Sequence, residues 1–331
     1  MLARFGAATR AWFAAAFAAP TEAQADAWRA IGAGRNALVV APTGSGKTLA
    51  AFLWSLDRLT REPAPADRLH RCRVLYVSPL KALAVDVERN LRTPLTGIRQ
   101  AAARLGLPQP DIAVGMRTGD TPADERRAFS RTPPDILITT PESLFLLLTS
   151  AARDALRGIE TVIVDEVHAV AATKRGAHLA LSLERLDALL PRPAQRIGLS
   201  ATVRPTDEVA RFLGGAQPVE VVQPRAAKTI EVSVQVPVED MTRLDEQDEP
   251  PDAELGTPRR ASIWPAVEER VYELITGHRS TIVFTNSRRG AERLCARLNE
   301  LAAERETGEE APFVSAEQIG VPPSVELVKA H

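Results

Sequence analysis

The sequence predicts an α/β fold in which one parallel β-sheet is flanked by helices. The first observation is a glycine-bearing loop, residues 41–48, between a short apolar run and a run with helical periodicity. The second is a series of short apolar runs that end in polar, loop-forming residues, at positions 74–78, 112–116, 136–140, 161–164 and 196–199. Strands that alternate with helical patterns are typical of a parallel sheet. Because the carboxyl ends of such strands form the binding edge, we expect the functional residues there.

The composition is that of a folded protein without a strong electrostatic bias. The chain has 331 residues, 45% of them hydrophobic, and a formal net charge of −1, which suits about two domains. Any site for a polyanion must therefore be a local patch. Cys72 and Cys295 fit no metal-binding spacing, and no run approaches the roughly 20 apolar residues of a spanning helix. We expect a cytoplasmic protein without a membrane partner.

The first predicted element is an amino-terminal helix. Trp12, Phe13, Ala16 and Phe17 recur at helical spacing in an alanine-rich run, which favours an amphipathic helix packed on the first domain. A secretion signal is the alternative, because two arginines precede the run. We assign residues 1–20 to this helix and residues 21–215 to the first domain.

The loop at residues 41–48 reads Ala-Pro-Thr-Gly-Ser-Gly-Lys-Thr, which has the spacing of a phosphate-binding loop. Gly44 and Gly46 allow backbone N–H groups to turn toward phosphate oxygens at the positive end of the next helix. Lys47 can reach the β- and γ-phosphates, and the Thr48 hydroxyl can ligate Mg²⁺. Ala41 replaces the usual first glycine, and the alternative is a simple Gly/Ser turn. The pattern predicts a site for a nucleotide and Mg²⁺, and the resemblance described below implies that the nucleotide is ATP.

Gln24 lies just upstream of this loop, on a helix that Thr21 can cap. Its side chain carries the donor and acceptor needed to read the N6 and N7 edge of adenine, although an ordinary solvated glutamine is the alternative. The predicted cofactor-binding residues are Gln24, Thr43, Gly44, Ser45, Gly46, Lys47 and Thr48.

Two adjacent carboxylates follow the apolar run at 161–164. Asp165 is placed to hold Mg²⁺, and Glu166 is placed to orient and deprotonate the attacking water. His168 either couples the site to a neighbouring domain or is an ordinary hydrogen-bonding histidine. Ser200 and Thr202, after the last run, can bridge the carboxylates to groups across the cleft; a helix cap is the alternative.

The apolar runs at 74–78, 112–116 and 136–140 each end in a loop that contains a hydroxyl or a cation. The candidate residues in these loops are Pro79 and Lys81, Arg117 and Thr118, and Thr140 and Ser143. Such groups, together with backbone amides at helix starts, contact phosphates without reading bases. Turn formation and helix capping explain each loop taken alone. Together, the three loops predict contacts to a nucleic-acid backbone.

The pattern changes after residue 214. Residues 228–238 alternate as an extended segment does, and residues 239–254 hold eight acidic residues against one arginine. We assign residues 216–262 to this segment and a mobile acidic linker. A helix at 265–276, a strand at 281–285 and a helix at 288–303 then predict an incomplete second sheet in residues 263–331.

These segments together resemble the superfamily 2 helicases. Residues 41–48, 165–168 and 200–202 look like motifs I, II and III, and Gln24 resembles the adenine-reading Q motif. Residues 79–83, 117–121 and 140–144 look like the motifs that grip the tracking strand, and residues 283–288 resemble motif IV. The longer runs 76–91 and 172–181 are similar to the Lhr (large helicase-related) proteins.

The resemblance implies a RecA-like first domain, the incomplete start of a second RecA-like domain, and catalytic roles for Lys47, Asp165 and Glu166. It implies an ATPase that depends on single-stranded DNA, moves 3′ to 5′ and unwinds tailed duplexes and RNA:DNA hybrids in DNA repair. Thr285 and Asn286 would be further nucleic-acid contacts. Motifs V and VI, with their arginine fingers, do not occur in the sequence, so we expect a fragment. The alternatives are a nucleotide-binding module without turnover and an RNA-directed helicase.

Overall fold

A seven-stranded sheet forms the centre of the first part of the protein. The computed structural model describes residues 2–224, 231–238, 263–307 and 327–330. The strands are β1 (Asn36–Val40), β2 (Val74–Val77), β3 (Val114–Arg117), β4 (Ile136–Thr139), β5 (Thr161–Val164), β6 (Gln195–Ser200) and β7 (Val219–Val222). Their order across the sheet is β3-β4-β2-β5-β6-β1-β7, and neighbouring strands pair in parallel. The prediction of a parallel α/β sheet is confirmed.

Eleven α-helices occur in the described residues. They are α1 (Ala7–Ala16), α2 (Glu22–Ile31), α3 (Lys47–Arg61), α4 (Lys81–Arg104), α5 (Ala123–Arg131), α6 (Pro141–Leu148), α7 (Val167–Val170), α8 (Lys174–Leu189), α9 (Thr206–Gly214), α10 (Trp264–Thr276) and α11 (Arg288–Thr307). Three of them have a threonine N-cap whose side chain accepts a backbone N–H, namely Thr21, Thr140 and Thr173. No described helix has the length and apolar content needed to cross a lipid bilayer.

The sheet is covered on both faces, as a parallel sheet requires. Successive residues of one strand enter two different apolar cores: Val39 packs with Trp28 and Phe52, whereas Leu38 packs with Leu183 and other residues of the opposite face. Strands buried on both faces read as continuous runs of Val, Ile and Leu, which is why these runs are recognisable in the sequence.

The strands predicted for this sheet match observed strands to within about two residues. The largest difference on this sheet is α4, which we expected to end near residue 91 and which continues to Arg104 through Pro94. A proline removes one helical hydrogen bond. Leu91, Ile98 and Ala102 are nevertheless buried on the same side of the proline-containing helix, and this packing stabilises the continuation.

The amino-terminal helix packs on the first domain, as expected. Trp12 and Phe13 of α1 are buried, and the Phe13 ring lies edge-to-face on Trp28 with centroids 5.6 Å apart. Gly97 of α4 lies directly against the Trp12 ring. Phe17 follows the helix and is 41% exposed, so the apolar stripe is shorter than predicted.

The first compact unit extends beyond residue 215, where we placed the end of the first domain. The protein divides into two compact units, Met1–Lys228 and Thr229–His331. Strand β7 lies beyond residue 215 and pairs with β1, so it belongs to the first sheet. An isolated four-residue strand carries little signal of its own, and its sheet position depends on β1.

The second unit contains α10 and α11 in its described residues, and both helices were predicted. The predicted strand at residues 281–285 does not form, and Ile282 and Phe284 are 78% and 90% exposed. Residues 231–238 are likewise described without strand assignment. A strand requires a neighbour for its backbone groups, and the described part of this unit offers none. The predicted acidic linker, at residues 239–254, lies outside the described residues.

Candidate functional site

The loop between β1 and α3 has the backbone conformation of a phosphate-binding loop. Gly44 and Gly46 have φ values of 80° and 81°, a region that favours glycine. A Cβ on Gly46 would also lie 2.4 Å from Nε2 of Gln24. Both glycines are therefore required by the geometry. The loop leads directly into the 15-residue helix α3, whose amino terminus carries the positive end of the helix dipole.

Lys47, the first residue of α3, reaches back over the loop. Its ammonium group donates hydrogen bonds to the carbonyl oxygens of Ala41 and Pro42, the latter at 2.9 Å. Burial lowers the pKa of Lys47, while the carboxylates of Glu166 and Asp165 act in the opposite direction. The fold thus brings the cation of the loop and the two strand-end carboxylates into one electrostatic environment.

The phosphate loop also contains a polar atom without a partner. The buried Ser45 hydroxyl forms no hydrogen bond within the described residues. The backbone carbonyl oxygen of Ser45, by contrast, accepts a hydrogen bond of 2.9 Å from the Thr21 hydroxyl. A buried polar group without a partner calls for an explanation, and a bound phosphate oxygen would supply one. The loop therefore fits a nucleotide.

Gln24 lies against this loop and is 4% exposed. Its Oε1 accepts the Thr21 N–H at 3.0 Å, and its Nε2 donates to the Gly46 carbonyl oxygen at 3.4 Å. Gln24 thus completes a capping box at the start of α2 and joins that helix to the phosphate loop. Its proximity to the loop agrees with the expected location, and adenine recognition stays a prediction.

Asp165 and Glu166 leave the end of β5 with different geometries. Asp165 is 8% exposed; its Oδ1 accepts the Glu166 N–H at 2.9 Å, and its Oδ2 accepts the Tyr76 hydroxyl. Glu166 has a left-handed backbone (φ 44°, ψ 45°), a conformation that costs a residue with a Cβ about 1–2 kcal/mol. This turn directs the two adjacent carboxylates differently, so one is buried and the other is partly exposed.

His168 contacts the end of β6. Its Nδ1 lies 3.3 Å from the Ala201 backbone N, 3.3 Å from the Ser200 hydroxyl and 3.3 Å from Glu166 Oε2. The Ala201 N–H can donate to Nδ1, whereas the Ser200 hydroxyl donates its own hydrogen to the Ala201 carbonyl oxygen at 2.9 Å. His168 and Ser200 are thus in contact, whereas Thr202 is exposed, and the coupling roles of these three residues stay predictions.

The three candidate nucleic-acid loops follow β2, β3 and β4, which are neighbours in the sheet. The phosphate loop, Asp165 and Ser200 follow β1, β5 and β6, which occupy the adjoining half. The strand order thus separates the predicted nucleotide residues from the predicted nucleic-acid residues along one edge. No sequence pattern specifies this order.

The loop after β3 is closely hydrogen-bonded. The Thr118 N–H donates to the Thr121 hydroxyl at 2.8 Å, and Arg126 donates to the carbonyl oxygens of Gly119 and Thr121, each at 2.7 Å. Burial lowers the pKa of Arg117, and Arg126 adds to the effect. Asp120 at the tip of this loop pairs with Lys81 at 2.7 Å, although both side chains are exposed.

Several predicted nucleic-acid residues have local structural roles. Pro79 is buried, and the buried Thr140 hydroxyl accepts the Ser143 N–H and donates to the Ser143 hydroxyl, at 3.4 and 3.2 Å. Thr285 and Asn286 lie in the second unit, where the Thr285 hydroxyl donates to the Ser287 carbonyl oxygen at 2.9 Å. Contacts of these residues with nucleic acid stay predictions.

Sequence reasoning missed three residues next to these sites, namely Tyr76, Asp120 and Arg126. Tyr76 had a usable signal, because a tyrosine in an otherwise aliphatic buried strand needs a partner for its hydroxyl. Asp120 and Arg126 had none, since their contacts depend on how the loop after β3 folds. The described residues contain no cluster of three or more His, Cys, Asp or Glu side chains suited to a metal.

The parallel sheet, the glycine loop with its lysine and the strand-end carboxylates define a P-loop nucleotide-binding protein. The chain belongs to the DEAD/DEAH box helicase family, whose model matches residues 21–210.

Its sequence relatives include Lhr helicases, so the predicted resemblance is confirmed. The chain is 64% identical over 322 residues to the Lhr helicase/probable uracil glycosylase of Mycolicibacterium smegmatis. It is 56% identical over 305 residues to the Lhr helicase/uracil glycosylase of Escherichia coli. The alignments cover 96% and 91% of this chain but 20% of each relative, so the chain spans about a fifth of their length.

Solved structures of helicases share the fold. The Mycobacterium smegmatis helicase Lhr bound to ssDNA and AMP-PNP matches with a TM-score of 0.71 and 64% identity, over 96% of this chain and 39% of that one. The DUF1998 helicase MrfA matches with a TM-score of 0.66 at 22% identity, over 95% of this chain and 43% of that one. The predicted RecA-like helicase fold is therefore confirmed.

Proposed function

We propose that this chain is the ATP-binding part of an ATP-dependent DNA helicase that moves 3′ to 5′ along a single strand and acts in DNA repair. The observation that carries the proposal is a phosphate loop whose lysine, Lys47, lies in the electrostatic field of Glu166 and Asp165 at the end of β5. The similarity to Lhr helicases, which covers about a fifth of their length, supports an ATP-dependent helicase reaction.

ATP is the proposed nucleotide, and Gln24, Thr43, Gly44, Ser45, Gly46, Lys47 and Thr48 are its proposed contacts. The backbone amides of the loop and Lys47 would hold the phosphates. Asp165 and the Thr48 hydroxyl would hold Mg²⁺, which neutralises phosphate charge when bound. Glu166 would accept a proton from the attacking water, and the contact of His168 with Ser200 would connect this site to the end of β6.

Single-stranded DNA and tailed duplexes, including RNA:DNA hybrids, are the proposed partners. Lys81, Arg117, Thr118 and backbone groups of the loops after β2, β3 and β4 would contact phosphates along the sheet edge. In support, the related Lhr helicase in the solved structure is bound to ssDNA. We place this activity in the cytoplasm, since the free thiols of Cys72 and Cys295 suit a reducing compartment.

The nucleotide assignment is tested with Lys47→Ala. We expect at least a tenfold loss of affinity for Mg-ATP in calorimetry, because a charged contact to phosphate is worth about 1.5–3 kcal/mol, and an unchanged circular dichroism spectrum. Lys329→Ala, a lysine of the second unit, is the matched control. Equal affinity in Lys47→Ala and the parent protein would refute the assignment.

The DNA assignment is tested by anisotropy with labelled oligothymidylate and with its RNA counterpart as competitor. We expect affinity to fall steeply with added salt, because backbone contacts release counterions. Tighter binding of the RNA oligonucleotide than of the DNA oligonucleotide would favour an RNA-directed helicase instead.

A further inference from the structure

One buried hydroxyl reaches the candidate metal carboxylate from a neighbouring strand. Tyr76 of β2 is fully buried and donates its hydroxyl hydrogen to Oδ2 of Asp165. Tyr76 pairs in register with Ile163 of β5, and side chains two residues apart on a strand share a face. Asp165 follows Ile163 by two residues, so the register itself brings the hydroxyl and the carboxylate together.

The surrounding packing leaves Tyr76 little freedom. Its ring stacks on Phe52 of α3, with centroids 4.9 Å apart and planes inclined by 26°. Helix α3 begins with the phosphate-loop lysine. The aromatic pair therefore connects the helix that starts at the phosphate loop with β2, whose tyrosine contacts Asp165.

The two oxygens of Asp165 have separate donors. Oδ1 accepts the Glu166 N–H at 2.9 Å, and Oδ2 accepts the Tyr76 hydroxyl. Two donors on opposite oxygens fix the plane of a carboxylate, and such outer-shell hydrogen bonds orient metal ligands. Without the hydroxyl, the Asp165 carboxylate would keep the backbone contact alone and could rotate away.

Packing does not require a polar group at position 76. The other buried strand residues in this core are aliphatic, and they include Val39, Val74, Ile138, Ile163 and Ile197. Burial of a hydroxyl is unfavourable unless it forms a hydrogen bond. A phenylalanine would fill the same space without that requirement, so the contact with Asp165 is the specific contribution of the tyrosine.

We propose that Tyr76 is a positioning residue, which holds the Asp165 carboxylate in the orientation that binds the nucleotide's divalent cation. The proposal rests on the proposed function, in which Asp165 is a metal-binding residue. It adds a residue of β2, outside the glycine loop and the Asp-Glu pair, to the determinants of the metal site.

The test is the affinity for a fluorescent, non-hydrolysable ATP analogue, measured in Mg²⁺ and again in EDTA. For Tyr76→Phe we expect about tenfold weaker binding in Mg²⁺, because a hydrogen bond to a charged group is lost, and an affinity in EDTA within about twofold of the parent. Tyr272→Phe, the other tyrosine of the chain, is the matched control and should leave both affinities unchanged.

Asp165→Asn separates this inference from the proposed function. It should reduce the Mg²⁺-dependent part of the affinity, and Tyr76→Phe should add nothing in that background, because coupled residues are not additive. If Asp165→Asn leaves the Mg²⁺ dependence unchanged, the metal assignment fails. If Asp165→Asn reduces it and Tyr76→Phe does not, or if Tyr76→Phe weakens binding equally in EDTA, the positioning role is refuted.

Phe52→Leu covers the case in which Tyr76→Phe does not fold, as judged by circular dichroism. It removes the stacked ring and keeps the Tyr76 hydroxyl. A selective reduction of the Mg²⁺-dependent affinity would support the positioning role, and an unchanged ratio of the two affinities would overturn it.

Discussion

Two segments with nearly the same pattern have different structures in this protein. Strand β5 (Thr161–Val164) and residues 281–285 each begin with threonine, continue with β-branched residues and precede polar residues. In β5 every residue is buried, and Ile163 is fully inaccessible. In the second segment, Ile282 is 78% exposed and no strand forms.

High β-propensity alone does not make a strand. Strand β5 pairs with β2 on one side and β6 on the other, so its backbone groups and both faces are covered. Among the described residues of the second unit, residues 281–285 have no neighbouring strand. Propensity describes how a side chain fits a pleated, half-buried surface, and within the described parts of the two units only the first contains such a surface.

The largest expected effect concerns catalysis. Phosphoryl transfer requires arginines that meet the transition-state charge, which is worth roughly 10³- to 10⁵-fold in rate. No sheet forms among the described residues of the second unit, so we do not expect it to hold arginines in place for this role. We expect this chain to show negligible DNA-stimulated ATP turnover and no unwinding.

A phosphate-release assay with and without single-stranded DNA measures the ATP turnover. An unwinding assay on a 3′-tailed duplex measures strand separation. Robust DNA-stimulated hydrolysis would contradict this expectation, because it would mean that the chain itself supplies the arginines.

The next largest effect is on stability. Ile163→Ala removes a fully buried side chain, and we expect it to reduce the free energy of unfolding by about 2–5 kcal/mol. Ile282→Ala makes the same chemical change at a site that is 78% exposed, where a surface substitution is usually within about 0.5 kcal/mol. Urea denaturation followed by circular dichroism measures both. Similar losses for the two variants would show that residues 281–285 are packed.

The smallest expected effect concerns an exposed pair of charged side chains in the first unit. The Lys81–Asp120 pair is 57% and 75% exposed, so it should add at most about 1 kcal/mol to stability. Asp120 nevertheless holds the ammonium group that we expect to contact a DNA phosphate. Asp120→Asn should therefore leave the melting temperature unchanged and increase affinity for single-stranded DNA about two- to fivefold.

Fluorescence anisotropy at several salt concentrations measures this change. Asp111→Asn is the control, because it makes the same change in charge at a residue that is 97% exposed and precedes β3, away from the strand ends. An equal gain in both variants would attribute the effect to net charge, and the specific role of Asp120 would be refuted.

The candidate nucleotide site was largely predictable, because its signals are local. Positive φ at Gly44 and Gly46 and the helix start at Lys47 follow from turn chemistry within eight residues. The carboxylates directly follow a buried strand, which the continuous apolar run at 161–164 identifies.

Contacts between distant residues were not predictable in the same way. Tyr76 and Asp165 are 89 positions apart, and Lys81 and Asp120 are 39 apart. Such pairs depend on strand order and register, since a shift of one residue moves every side chain to the opposite face.

The amino-acid pattern was enough to identify the strands β1 to β6, the phosphate loop and the strand-end carboxylates, because periodicity and turn chemistry act over a few residues. The folded sheet was needed to show that β7 joins β1, that residues 281–285 are not a strand, and that the Tyr76 hydroxyl contacts Asp165. Each of these outcomes depends on whether a partner from a distant part of the chain satisfies backbone groups or a buried hydroxyl. That condition is a property of the assembled sheet.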